Sequence, residues 1–250
     1  MQFVHVSIQE AVAEVRLERG KVNALDDRVV AELAECFRQL AGDPAVRASI
    51  LTGTGKFFSF GFDIPEFLGY SKEAFTGYLD RFAALYREIF AHPKPVVAAL
   101  NGHAVAGGCM LATACDARIM VGGKAKIGLN EIGFGSSVFA GSVGMLAYWV
   151  GWRQAQEVLF AGTLLSSEQA LDIGLVDAIA PEAGLLDAAR QVARRHADKD
   201  PAAFRSIKGL LRKPVLEDMA ARESQSIREF VEIWYSERTW KRLQEIRIHA

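Results

Sequence analysis

Neither sign of charge is in excess along this chain. Its 250 residues carry 29 Lys plus Arg against 30 Asp plus Glu, a formal charge of -1, so no overall basic field draws in nucleic acid or an anionic membrane. Any phosphate contact has to be local. Cysteine is scarce: Cys36, Cys109 and Cys115 are odd in number, sit among apolar neighbours and lack metal-ligand spacing. That excludes a disulfide framework and a thiolate metal site, and fits small core residues of a reduced compartment. The opening MQFVHVSIQE has neither a basic start before a long apolar core nor an Arg-rich amphipathic face, so no targeting signal is read and a cytoplasmic setting is expected. No GxGxxG or P-loop follows a strand, and strict repeats and low-complexity tracts are absent. One uncharged run stands out, Ile132 to Trp152. Five glycines and three serines interrupt it and no second run accompanies it, so a buried wall beside a ligand is expected there and a membrane span is not.

What is present reads as an α/β chain with one main domain, since 50% hydrophobic and 24% charged residues over this length support a sizeable core. Ala11 to Leu17 alternates as a half-buried strand does. Asp26 or Asp27 can cap a helix over Val29 to Leu40, which Gly42-Asp43-Pro44 ends. Ser49 to Thr52 is the next strand, and Gly53 to Lys56 a turn before FFSFGFDIPEF. Ser71 can cap a helix from Lys72 to Ala91, stopped by His92-Pro93-Lys94-Pro95. Further on, Ser166 with Gln169 forms a capping box, Gly174 ends that short helix, and Leu175 to Ala180 is a last strand. From Glu182 the chain reads as helical, with breaks near Asp200-Pro201 and Lys213-Pro214.

The stretch from Pro95 to Glu131 organises the rest. Val96 to Leu100 is a β-branched apolar run broken by Asn101-Gly102, and Ala106-Gly107-Gly108 then opens a helix over Cys109 to Ala114. The first turn of that helix has almost no side chain to cover its amides. Those N–H groups, reinforced by the helix dipole, suit an oxygen that carries negative charge, permanent or transient. The plainer alternative is that paired glycines only let the helix approach a strand closely.

Two ordered motifs, FFSFGFDIPEF at Phe57 to Phe67 and NGHAVAGGCMLATACDARI at Asn101 to Ile119, followed by Gly128-Leu129-Asn130-Glu131 and then LFAGTLLSSEQALDIGLVD, resemble the crotonase superfamily, also called the enoyl-CoA hydratase/isomerase family. The likeness runs from about Glu14 to Asp177 and continues more weakly to the end. It implies a crotonase-like spiral of repeated ββα units over 1–195, a helical C-terminal oligomerisation region over 196–250, and trimers or hexamers that bind acyl-CoA thioesters. No metal and no separate cofactor is implied, coenzyme A being part of the substrate; neither nucleic acid nor membrane is an expected partner.

Carried over onto this sequence, the family's oxyanion hole would be the backbone N–H groups of Phe62 and Gly107. Phe60, Gly61, Phe62, Asp63 and Ile64 match the segment along which the CoA portion lies, and Ala24 is a further substrate-binding candidate. Asp63 also suits a helix cap, His103 a structural role, and Tyr148 or Ser136 the acyl pocket. Removing a proton beside a thioester creates an enolate whose charge sits on the carbonyl oxygen, where each preorganised donor is worth about 2.7 to 4 kcal/mol.

Met110 is where the chain departs from the hydratases, which carry a glutamate directly after the Gly-Gly-Cys and another in the later motif. Here only the second, Glu131, is kept. Hydration needs a water-activating base and a proton donor, which two carboxylates supply. Moving a double bond from C3 to C2 needs one group that takes the C2 proton and returns it to C4. With Met110 apolar beside the reacting carbons and Glu131 as sole catalytic base, the resemblance points to a Δ3,Δ2-enoyl-CoA isomerase. A weak hydratase, an acyl-thioester decarboxylase and a non-catalytic acyl-CoA-binding scaffold are the alternatives. In the tail, Ile227, Phe230, Val231, Trp234 and Trp240 recur at helical spacing within one helix over Ala220 to Ile248, an aromatic stripe that points to an interface with a second copy. Lys241 or Arg242 would approach CoA phosphates.

Overall fold

A computed structural model describes residues 1–246. The chain opens with β1 (Val4–Gln9) and β2 (Val12–Leu17), then β3 (Ala24–Leu25) and α1 (Asp27–Gly42). Next come β4 (Ala48–Gly53), β5 (Phe57–Ser59), β6 (Gly61–Phe62), α2 (Ile64–Phe67) and α3 (Lys72–Phe90). A third unit is β7 (Val96–Leu100), β8 (His103–Val105) and α4 (Gly107–Ala114). A fourth is β9 (Ala117–Val121), β10 (Lys126–Gly128) and α5 (Ala140–Ala161). After them follow β11 (Leu165–Ser166), α6 (Ser167–Asp172), β12 (Ala178–Ala180), α7 (Leu185–Ala197), α8 (Pro201–Trp234) and α9 (Glu237–Leu243).

The repeats wind into a spiral of ββα turns. The first strand of each turn joins one sheet, ordered β1-β2-β4-β7-β9-β12; the second strands β5, β8 and β10 join another, ordered β11-β10-β8-β5, while β3 pairs with β6 alone. Apart from the antiparallel pairs β1-β2, a hairpin, and β10-β11, which α5 separates in sequence, the pairings are parallel. The ends of β5, β8 and β10 therefore point the same way, and the segments leaving them can meet.

Local chemistry starts the helices where the sequence places them. Asp26, not Asp27, caps α1, its Oδ1 accepting from Val29 N–H at 2.8 Å. Ser71 caps α3, and Ser166 and Gln169 form the reciprocal box at α6. Other expectations need correction. The half-buried strand at Ala11 to Leu17 is almost wholly buried, because β2 is interior, between β1 and β4 with α7 across it. Glu14 survives there by pairing with Arg16 and, at 2.8 Å, with Arg190. The last strand shrinks to Ala178–Ala180, since Leu175 and Val176 N–H both turn back to Ala170 O. Pro214 causes no break and lies inside the 34-residue α8. Proline removes the donor to the carbonyl four residues back, and that residue, Leu210, is 71% exposed, where water can serve instead.

Nor is the uncharged run a continuous wall. It forms a single 3-10 turn at Glu131–Phe134 and then most of α5, which kinks at Gly151 (φ 76°) and leaves Ile132 and Trp152 exposed. No helix among the described residues is long and apolar enough to cross a membrane.

The tail differs most. Ile227, Phe230, Val231 and Trp234 are buried against their own chain, with the Trp234 ring 4.7 Å from Phe75 and Phe230 4.7 Å from Phe139. The helix stops at Tyr235, whose hydroxyl donates to Tyr70 O at 2.7 Å, and Trp240 belongs to the separate α9. A neighbour is not needed to cover this stripe. Ile248 lies outside the described residues.

Candidate active site

Parallel pairing of β8 with β10 sets Val105 opposite Gly128, and Ala106 N–H donates to Gly128 O at 2.9 Å. The loop carrying Glu131 thus departs where β8 turns into α4. The turn is made by Ala106 at φ 50°, ψ -117°, a conformation non-glycine residues rarely hold and one that costs about 1–3 kcal/mol. Ala106 supplies no side-chain cap, so the first-turn amides, Gly107 among them, lack intrahelical partners as at any helix start.

The two glycines have different duties. A β-carbon on Gly108 would lie 2.4 Å from Ser59 O, so this glycine serves close helix–strand packing. One on Gly107 would come nearest to side chains, the edge of the Phe62 ring at 3.1 Å and Leu25 at 3.3 Å. Opposite stands β6, where Gly61 (φ 95°) comes so near that its own added β-carbon would be 3.0 Å from Gly107 N. The amides flanking Phe62 are committed, Gly61 N–H to Ser59 Oγ at 3.1 Å and Asp63 N–H to Leu25 O at 3.2 Å. The backbone segments bearing the Phe62 and Gly107 N–H groups are therefore in direct contact.

A cavity of about 370 Å³ opens beside them. Phe60, Phe62, Ile64, Val105 and Ala106 line one side, and Asn130, Glu131, Gly133 and Phe134 another. Phe230, Trp234 and Ile246 come from the C-terminal helices and the residues after them. Glu131 is the one ionisable side chain in this lining among the described residues. It is 4% exposed, and its buried Oε2 has no hydrogen-bond partner. Burial raises its pKa to about 8, against a smaller lowering by its own backbone N–H. A carboxyl in this state takes a proton readily once ionised.

The other candidates divide. Of the five phenylalanines in the first motif, Phe60 and Phe62 line the cavity, while Phe58 and Phe67 are core and Phe57 packs on Phe60 and His103. Asp63 caps α2 and holds Arg19 at 2.7 Å. Ala24 pairs with Gly61 across β3 and β6, so it helps hold the strand that carries Phe62 and does not line the cavity. His103 accepts from Lys126 N–H, a structural contact, and burial lowers its pKa. Met110 is 1% exposed on α4 and does not line the cavity; its N–H closes the first helical turn onto Ala106 O. Tyr148 lies elsewhere, edge-on to Phe90, and Ser136 is buried outside the lining. Lys241 is exposed and paired with Glu237 at 2.6 Å. Phe230 and Trp234 were legible only as an aromatic stripe, which does not say which surface it covers.

A family model described as enoyl-CoA hydratase/isomerase matches residues 7–243. The chain is 35% identical over 213 residues to a probable enoyl-CoA hydratase of Bacillus subtilis, covering 84% of this chain and 82% of the relative. It is 32% identical over 242 residues to a carnitinyl-CoA dehydratase of Escherichia coli O157:H7, covering 94% and 92%. Among solved structures, human mitochondrial delta3-delta2-enoyl-CoA isomerase superposes with a TM-score of 0.94 at 28% identity, covering 98% of this chain and 96% of that one.

Proposed function

The chain belongs to the enoyl-CoA hydratase/isomerase family, and on that footing we propose that it is a Δ3,Δ2-enoyl-CoA isomerase with Glu131 as its only catalytic base. One observation carries the reading: among the described residues a single buried carboxyl faces an otherwise uncharged cavity, beside the backbone of Phe62 and Gly107. Ionised Glu131 takes the proton from C2 of a 3-enoyl thioester. The C2–H electrons become a π bond to C1, and the thioester oxygen takes the charge between the Phe62 and Gly107 amides. The dienolate collapses as Glu131-H gives its proton to C4, leaving the double bond at C2. Atoms balance within the substrate, and no water enters. The apolar lining keeps solvent from the protonated base while the dienolate lives. Resemblance to the isomerase structure supports this choice.

The hydratase and dehydratase names of the relatives favour a second reading, reversible hydration. Incubation with a 3-enoyl-CoA separates the two. A 2-enoyl product without hydroxyacyl product is expected; hydroxyacyl as the main product would replace the proposal with hydration, and binding without turnover would leave a scaffold.

A further inference from the structure

The amino end of α5 is built from another helix. Phe139, its N-cap residue, has no side chain able to accept a hydrogen bond, and two groups of α8 take over. Ala140 N–H donates to Ser226 Oγ at 3.0 Å, and Gly141 N–H donates to Glu223 Oε2 at 2.6 Å. Ser226 is in turn tied to Glu223 O at 2.8 Å. Carboxylates are favoured at such a helix start by its orphan amides and dipole, yet here the carboxylate comes from a helix remote in sequence. Gly141 makes room for it, since a β-carbon there would lie 2.8 Å from the Tyr86 ring and 3.1 Å from Glu223 Oε1.

This junction leads to the acyl cavity. Phe139 is fully buried, with its ring 6.4 Å from Phe62 and 4.7 Å from Phe230, and both of those rings line the cavity. Ser226 and Phe230 are one turn apart on α8. The segment hung between Glu131 and α5 ends at the same place, its start held by Ser136 N–H on Glu131 O at 2.9 Å. Moving the α5 start would shift Phe139 against Phe62 and slacken the loop that carries the base.

We propose that Glu223 is a positioning residue for acyl-thioester binding, which, with Ser226, locks the α5 start and through Phe139 fixes the cavity wall at Phe62 and Phe230. The inference rests on that cavity being the acyl site, as proposed above.

Two further observations give it a signature. Glu223 Oε1 and the Tyr86 hydroxyl are both buried without a hydrogen-bond partner, although each lies about 3 Å from the point where a Gly141 β-carbon would be. Burial raises the Glu223 pKa to about 7, with the Gly141 N–H pulling the other way. Around it, α3 contributes Tyr86 and the charged Asp80 and Arg87, α8 contributes Ser224 and Ser226, and the first turn of α5 is uncharged. The carboxylate therefore gains and loses its charge near neutrality, and with it the strength of its grip on α5. An amide at this position keeps an oxygen for Gly141 N–H and does not ionise in this range.

The test is calorimetric binding of octanoyl-CoA, a saturated thioester that cannot isomerise, from pH 6 to 8.5. Wild-type affinity is expected to rise through about pH 7 relative to Glu223→Gln, whose affinity lacks that step and stays within about threefold of the ionised wild type. Glu223→Ala is expected to bind at least fivefold more weakly at every pH, and in turnover assays to raise KM more than it lowers kcat. If the alanine variant does not fold, the glutamine comparison alone decides. Glu131 titrates in both proteins and cancels in their ratio, so a ratio of wild-type to Glu223→Gln affinity that does not change across pH 7, or an alanine variant that binds like wild type, overturns the assignment. Binding with normal pH behaviour but without isomerisation would defeat the proposed reaction and leave this test readable. Failure to bind octanoyl-CoA would overturn both.

Discussion

A β-carbon added to Gly107 would stand 3.1 Å from Cε1 of Phe62, so the two residues offered as oxyanion donors also touch through the Phe62 ring. That ring cannot give way easily, because Phe82, Tyr78 and Phe67 stand edge-on around it with centroids 5.0, 5.3 and 6.1 Å away. Gly107→Ala is therefore expected to fold but to push the two donors out of register. Loss of one such donor lowers kcat by about 10²- to 10³-fold, and steady-state kinetics should show that fall with a much smaller change in KM. A kcat within a few-fold of wild type would remove Gly107 from the oxyanion hole.

Glu131→Gln keeps shape and removes basicity. Turnover should fall by at least about 10²-fold, the range for general acid–base groups, while octanoyl-CoA binds almost as before. Because burial lifts the Glu131 pKa to about 8, most of the free enzyme at pH 7 holds the base protonated. The kcat/KM of the wild type should accordingly climb with pH and level off above about 8. A profile that is flat from pH 6 to 9 would contradict Glu131 as the base.

The same ionisation bears on stability. Glu131 binds its proton more tightly when folded than its ordinary value of 4.5 allows, so between 4.5 and about 8 this group is more protonated in the folded chain than in the unfolded one. Its contribution to stability must then decline as pH rises across that window, by up to about 1.4 kcal/mol per unit. Glu131→Gln escapes the decline. Thermal unfolding should show the variant's advantage widening from pH 5 to 8.5; a constant difference would mean that Glu131 is not buried as described.

The sequence made the helix caps and the central strand–turn–helix legible, because Asp26, Ser71, Ser166 and Gly107-Gly108 act on their own neighbours. Long-range partners were not. The first strand went unread since its hairpin turn is made by Glu10 and Ala11, both at positive φ, without the Asn-Gly or Gly signature such turns usually carry. Pro214 suggested a break, but the position it deprives of a donor, Leu210, is an exposed residue of α8. Glu131 was visible through its motif, whereas Phe230 and Trp234 reach the cavity only because α8 folds back over α3 and α5.

Met110→Glu probes what excludes hydration. The side chain is 1% exposed and outside the cavity lining, so a carboxylate there must be desolvated or swing into the cavity, and lower thermal stability is expected. The second carboxylate should still let some water add across a 2-enoyl thioester, read as hydroxyacyl product above that of the parent. A folded variant that yields none would place water exclusion on the cavity wall instead of on Met110.

Assembly needs a different test from truncation of the tail. Cutting after Ala220 removes Ile227, Phe230 and Trp234, which are core residues of their own chain, so such a variant would fail for reasons unrelated to a neighbour. Family likeness still leads us to expect a trimer or hexamer, with light scattering at three or six times 27.4 kDa. The apolar side chains free to form its interface are elsewhere: Trp152 and Phe160 on α5 are 68% and 72% exposed, and Leu210 and Leu211 on α8 are 71% and 59% exposed. Large exposed apolar groups of this kind mark association surfaces. Leu210→Asp adds a solvated charge without touching the core, so it should leave the monomer folded while lowering the scattering mass toward 27.4 kDa. A variant that stays at the wild-type multiple would move the interface off this part of α8, and a wild type that scatters as a monomer would refute the assembly.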